Sequence, residues 1–216
     1  MAEKGRPRSF DREIALRAAM LIFWEKGFDG SSLADLTTAM GINAPSLYAA
    51  FGSKEELYLE ALTLYAGEVG IEIWLTLDET PDVRAAFERF LLATIDAYCE
   101  DSVPRGCMIA LDALHRTQSS DKVCSVLRNR RQSNIETLKK RLERGIRDGD
   151  IPASVNCEAV ATFYATVQNG MSILARDGGT RQDLTATALG AMAAWEKLVF
   201  PNDNQATSLN LGVSSR

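Results

Sequence analysis

Apolar residues recur along most of this chain at spacings of three and four, the period of a helix that buries one face. Ile14, Ala18, Leu21 and Ile22 mark a first helix over about 11–27, with Asp11 placed to cap it and Gly27 to end it. Leu33, Leu36 and Met40 fall at i, i+3 and i+7 and define a short second helix. Ser32 precedes it as a cap, and Gly41 supplies the left-handed residue that closes it. Asn43 opens a third helix, with Pro45 in its first turn, where a missing N–H costs nothing. Leu47 and Phe51, four apart, turn this helix toward the core. Ser46, Ala49 and Ala50, with Tyr48 beside them, are left on or near its outer face. Ser53-Lys54-Glu55-Glu56 is a capping box that starts a longer helix to about Trp74.

Further helices follow in the same style. One runs from after Pro81 to about Glu100, with Phe87, Phe90, Leu91 and Ile95 apolar. Pro104-Arg105-Gly106 interrupts, and a short apolar helix is expected from Cys107 to about His115. Asp121–Arg147 reads as a long basic helix, interleaved with Glu136 and Glu143, whose charge is that of a solvated face. Two helices near 156–175 and 182–200 are apolar on more than one side, so each needs burial beyond a single stripe. No segment alternates like a strand, and there is no internal repeat. The fold class is all-α, with about nine helices.

Composition narrows the function. The apolar fraction of 46% suffices for a core, yet no apolar run approaches the ~18 residues of a membrane span. The N-terminus has charge without a following apolar stretch, so it is not a secretory signal. Cys99, Cys107, Cys124 and Cys157 form no CxxC pair, and in a cytoplasmic chain they are reduced thiols. The net charge of −5 argues against a protein that coats nucleic acid. Residues 1–60 themselves carry seven Lys or Arg against nine Asp or Glu. Positive charge is local instead: Lys4, Arg6, Arg8 and Arg12 crowd the N-terminus, and Lys54 begins the fourth helix.

Two short helices joined by a tight turn, the second with a small and partly polar outer face, have the layout of a helix-turn-helix. The stretch and its flanks resemble the DNA-binding domain of the TetR family of transcriptional regulators. The matching residues are Phe23, Gly27-Phe28, Ser31-Ser32-Leu33, Asp35-Leu36, Gly41-Ile42, Leu47-Tyr48, Phe51 and Ser53-Lys54-Glu55. The likeness is specific over about residues 8–65 and architectural beyond. It implies a helix-turn-helix domain with a basic arm over 1–55, a ligand-binding and dimerisation domain over 56–200, and a polar tail over 201–216. The DNA-contacting residues it implies are Arg6, Arg8, Ser31, Ser32, Asn43, Ala44, Pro45, Ser46, Tyr48, Ala49 and Lys54. For Tyr48 the periodicity alone allows a packed aromatic; the resemblance places it toward a phosphate.

No Gly-rich phosphate loop, GxSxG or HExxH is present, and no carboxylate pair stands out. Neither a catalytic site nor a metal nor a cofactor is expected. Trp74, Phe87, Phe90, Met108, Leu111, His115, Phe163, Tyr164 and Gln168 are the candidates for a small-molecule pocket, being apolar or aromatic with a few polar groups. Cys107 follows Arg105 and opens an apolar helix, surroundings that make a thiol reactive, although most free cysteines are inert core residues. The expected function is a ligand-responsive repressor that binds a palindromic operator as a homodimer and is released by a small, largely apolar inducer. The alternatives are a redox or electrophile sensor through Cys107, a transcriptional activator, and an all-α enzyme.

Overall fold

The computed structural model describes residues 10–112 and 120–200. Within them all regular structure is helical, arranged as nine helices. Helix α1 (Arg12–Gly30) begins at Asp11, whose carboxylate accepts from the Glu13 and Ile14 N–H groups. Gly27 breaks it at φ 72° and ψ 174°, and one further turn follows to Gly30. Helix α2 (Leu33–Met40) carries a full capping box between Ser32 and Asp35 and ends on Gly41 at φ 64°. Helix α3 (Ala44–Phe51) is capped by Asn43, whose side chain accepts from the Ser46 N–H at 2.8 Å. Each of these ends is made by the residue that local chemistry selects for it.

Helix α4 starts at Lys54, capped by Ser53, and is α-helical to Tyr65. Ala66–Gly70 then form a π turn, and α-helix resumes over Ile71–Glu79. The helix therefore reaches past the expected end at Trp74. Helix α5 (Val83–Tyr98) is capped by Asp82. Helix α6 is described over Met108–Leu111; the last part of the helix expected there, His115 included, lies outside the described residues. Helix α7 (Asp121–Asp148) ends on Gly149, α8 spans Cys157–Arg176, and α9 spans Arg181–Ala193 with a last turn over Trp195–Val199 after a break at Ala194. None of these described helices is long and apolar enough to cross a membrane.

Two apolar cores hold the helices. The first joins α1 to α4: Phe23, Trp24, Leu36, Leu47, Phe51, Leu57, Tyr58 and Tyr65 are buried together, and Met108, Ile109, Val123 and Leu127 of α6 and α7 complete it. The second joins α5 and the end of α4 to α7, α8 and α9 around Phe87, Phe90, Leu138, Tyr164 and Trp195. Large apolar side chains buried this fully stabilise by ~1.5–3 kcal/mol each relative to exposure.

The basic helix α7 is less solvated than its composition implies. Arg141 is buried, and its guanidinium donates to the Thr80 and Pro81 carbonyls at 3.1 and 2.7 Å, pinning the α4–α5 turn. Arg131 donates to the Ile109 carbonyl at 3.3 Å. Lys139 pairs with Glu158 of α8 at 3.0 Å. These cations tie α7 to its neighbours rather than presenting a charged face to solvent.

Candidate functional site

The outer surface of α3 is set by its two buried residues. Leu47 and Phe51 anchor the helix in the first core, which leaves Asn43, Pro45, Tyr48 and Ala49 exposed, and Ala44 and Ser46 half-buried. Asn43, Ala44, Pro45, Ser46, Tyr48 and Ala49 thus form one small-residue surface, with Tyr48 46% exposed. Ser32 stands exposed at the start of α2, its hydroxyl engaged by Asp35. Ser31 does not belong to this surface. It is buried, and its hydroxyl donates to the Gly27 carbonyl at 2.6 Å, satisfying an acceptor freed by the kink in α1. Arg6 and Arg8 lie outside the described residues.

Charge on this face is largely committed. The four cations between residues 10 and 60 are Arg12, Arg17, Lys26 and Lys54. Arg12 binds Glu60 at 2.7 Å and stacks on Phe51 at 4.3 Å from the ring centroid. Arg17 pairs with Glu68, and Lys26 with Asp35 at 2.6 Å. Lys26 and Ser32 together hold the Asp35 carboxyl well below the usual carboxylate range. Lys54 lies over the Phe28 ring, 4.6 Å from its centroid. Burial lowers its pKa, against the pull of Asp29 and Asp112. A surface with little free charge can still sit against a duplex through backbone N–H groups, small side chains and a phenol. Tyr48→Phe is expected to weaken binding roughly fivefold on every operator variant alike, the loss of one hydrogen bond to phosphate. Affinities measured across a panel of single-base operator variants check this. A changed order of preference among them would make Tyr48 a base reader instead.

Behind the first core, α4, α5, α6, α7 and α8 line a cavity of about 260 Å³ that opens to the surface beside Ile71 and Thr137, both exposed. Its apolar wall includes Ile71, Ile73, Trp74 and Ile109. Its polar groups come from three sides: Tyr65 and Tyr98 with Cys107, then Arg130, Asn134 and Thr137 of α7, then Gln168 of α8. No carboxylate is among these lining residues. Tyr65, Tyr98 and Cys107 line the same part of this wall, and burial, with the nearby thiol, pushes both phenols well above their ordinary pKa. The Cys107 N–H donates to the Ser172 hydroxyl at 2.7 Å. Arg105, the expected activating neighbour, instead reaches the Gly179 carbonyl at 3.2 Å and Asp101 at 3.4 Å.

Of the expected pocket residues, Trp74 and Gln168 line this cavity. Met108 and Leu111 line a second cavity of about 290 Å³, between α1, α6 and α8. Phe87, Phe90 and Tyr164 do not face either cavity: all three are fully buried, packed on Trp74 and Trp195 as the centre of the second core. Phe163 packs against that core while partly exposed. Sequence reasoning missed Tyr65, Tyr98, Arg130, Asn134 and Thr137. The last three fall at i, i+4 and i+7, so a polar stripe on the long helix was their one legible signal.

Comparisons with known proteins match both parts of the chain. Residues 15–61 match the model of the bacterial regulatory proteins of the tetR family, and residues 82–188 match that of a tetracyclin repressor-like C-terminal domain. The chain is similar to the HTH-type transcriptional repressor ComR of Escherichia coli K12, at 32% identity over 91% of this chain and 94% of that one. It is also similar to the repressor BdcR of the same organism, at 33% identity over 85% and 88%. A solved structure of a cysteine mutant of the TetR family transcriptional regulator CifR, complexed with 26-bp double-strand operator DNA, superposes with a TM-score of 0.85. It is 45% identical and covers 88% of this chain and 100% of that one. With both its helix-turn-helix and its C-terminal helices matched, this chain belongs to the TetR family of transcriptional regulators.

Proposed function

We propose that this protein is a ligand-responsive transcriptional repressor that binds a palindromic operator as a homodimer. The observation that carries the reading is the outer face of α3, with Tyr48 and Ala49 exposed and Ser46 half-buried, held on a core that continues through α4 to the cavity. Residues 1–55 contact DNA, and residues 56–200 bind the ligand and the second subunit. The repressor names of ComR and BdcR and the operator complex of CifR support it. One helix-turn-helix reads one half-site, so a two-fold site requires two chains. On α8, Ala159, Thr166, Gly170 and Ile173 are exposed; on α9, Ala186, Leu189, Gly190 and Ala193 are. These apolar and small residues support a close four-helix interface. Sizing by light scattering is expected to give a dimer, and footprinting a two-fold protected site. A monomer binding an asymmetric site at full affinity contradicts the reading.

The ligand is a small neutral or anionic molecule with an apolar body and an acceptor oxygen, because the lining offers phenol, amide and guanidinium donors and no carboxylate. It releases DNA by favouring the dimer state whose recognition helices are not one turn apart, and by no more than its differential affinity for the two states. A second reading rests on the thiol in the cavity wall: Cys107 is half-buried and lines the cavity with Tyr65 and Tyr98, so an electrophile held there would meet a nucleophile. Release of operator DNA by candidate compounds in the native protein and in Cys107→Ser separates the two. Equal release supports the reversible pocket. Release only by electrophiles or oxidants, lost in the variant, supports the thiol sensor.

A further inference from the structure

The π turn in α4 sits where the DNA-binding core, the cavity and the outer surface meet. Tyr65, Ala66, Gly70 and Ile71, the two ends of the turn and its two flanking residues, all line the cavity. Tyr65, just before it, packs edge-on against Trp24 with centroids 4.8 Å apart, and Trp24 donates to the Gly106 carbonyl at 3.0 Å. Glu68, within the turn, holds Arg17 of α1 through both carboxylate oxygens. The turn is thus tied to α1 on one side and open to the cavity on the other.

A π turn closes its hydrogen bonds one residue further along than an α-helix, is rare, and occurs frequently at functional sites. This one contains Gly67 and Gly70, residues that leave a helix more readily than any other except proline. Nothing crowds them. A Cβ at Gly67 would meet no atom within 4 Å, and one at Gly70 would lie 3.9 Å from the Tyr65 carbonyl. Close packing therefore does not require glycine at either position, and the conformational freedom is what these residues contribute.

We infer that the Ala66–Gly70 π turn is the bistable element of this regulator: it loosens when the cavity fills, releasing Tyr65 and Glu68 from their fixed positions against α1. Loosening there changes the angle between α4 and the sensor helices, and α4 carries α3 with it through the core they share. The inference rests on the cavity being the ligand site.

The test uses the full chain with Cys99→Ser, Cys124→Ser and Cys157→Ala, leaving Cys107 as the one thiol. Methyl methanethiolsulfonate places a methylthio group on Cys107 inside the cavity, with methanesulfinate leaving, and mass spectrometry counts it. Operator affinity is measured before and after modification, alone and with Gly67→Ala and Gly70→Ala added. The expected result is that modification weakens binding at least tenfold in the cysteine background. With both alanines, which fit the present conformation and disfavour its loss, that ratio falls by about tenfold, toward one. Thermal melts of both proteins confirm that the alanines fold. If the background releases DNA on modification and the alanine variant releases it equally, the π turn is not the switch and the cavity reading stands. If Cys107 does not react, or reacts fully without release, the cavity reading fails and takes the inference with it.

Discussion

Removing residues 1–8 will weaken operator binding about a hundredfold at moderate salt and flatten its salt dependence. The cause is the distribution of charge. Arg12, Arg17 and Lys26 are bound to carboxylates, and Lys54 is drawn over Phe28, so residues 10–60 offer little free positive charge. Lys4, Arg6 and Arg8 are the remaining cations of residues 1–60. Every phosphate that these side chains neutralise adds about 0.9 to the slope of log K against log salt, and in a dimer the arm acts twice. Sequence preference should change less than affinity, because interactions with phosphate position rather than specify. Titrations of operator and unrelated DNA at several salt concentrations give the slope. An unchanged slope would move the electrostatic attraction to residues beyond 8 and contradict its assignment to Lys4, Arg6 and Arg8.

Gly106→Ala will destabilise the protein by about 2–4 kcal/mol, combining a left-handed backbone with an overlap. Gly106 has φ 79°, and a Cβ there would lie 2.6 Å from the Ser172 carbonyl oxygen and 3.1 Å from the Leu111 side chain. The nearest atom is backbone of α8, which cannot swing aside. The same residue accepts from Trp24 and precedes the Cys107 N–H that binds Ser172, so any shift also disturbs the join between α1 and the cavity wall. A fall of about 10 °C in melting temperature is expected. Gly178→Ala is the control: its φ is 91° but nothing lies within 4 Å of the added Cβ, so it carries the backbone cost alone, about 1 kcal/mol. Equal effects of the two substitutions would show that the approach to Ser172 does not matter.

The ends of α2 and α3 were legible in sequence because they are local. Ser32, Gly41 and Asn43 act on atoms within four residues, and each does in the structure what its chemistry predicts. Gly27 marked a real break, but a further turn follows it, since one glycine interrupts a helix without deciding whether it resumes. The π turn left only Gly67 and Gly70 as traces, because composition alone does not distinguish such a turn from the α-helix on either side of it. Arg141 illustrates the same limit. Its acceptors, the Thr80 and Pro81 carbonyls, lie 61 and 60 residues away, so the residue read as part of a solvated face.

The candidate site divides the same way. The outer face of α3 follows from which residues of an eight-residue helix are apolar; Ser31, expected on the surface, is buried because its place depends on the kinked end of α1. The cavity does not follow from residue type. An aromatic side chain suits a core and a pocket equally, and Phe87, Phe90 and Tyr164 went to the core while Tyr65 and Tyr98 went to the wall. What placed the phenols there is the meeting of several helices far apart in the chain, which a single sequence does not display.

Sequence-specific recognition by two copies of α3 is tested most directly by selection from random-sequence DNA. The protein is incubated with a duplex library, bound DNA is recovered over several rounds, and the enriched site is footprinted at known protein stoichiometry. The expected product is an inverted repeat whose half-sites are one helical turn apart or a multiple of it, occupied by two-fold assemblies of the chain. No enrichment over bulk DNA, or an asymmetric site saturated by a single chain, would contradict recognition by a paired α3.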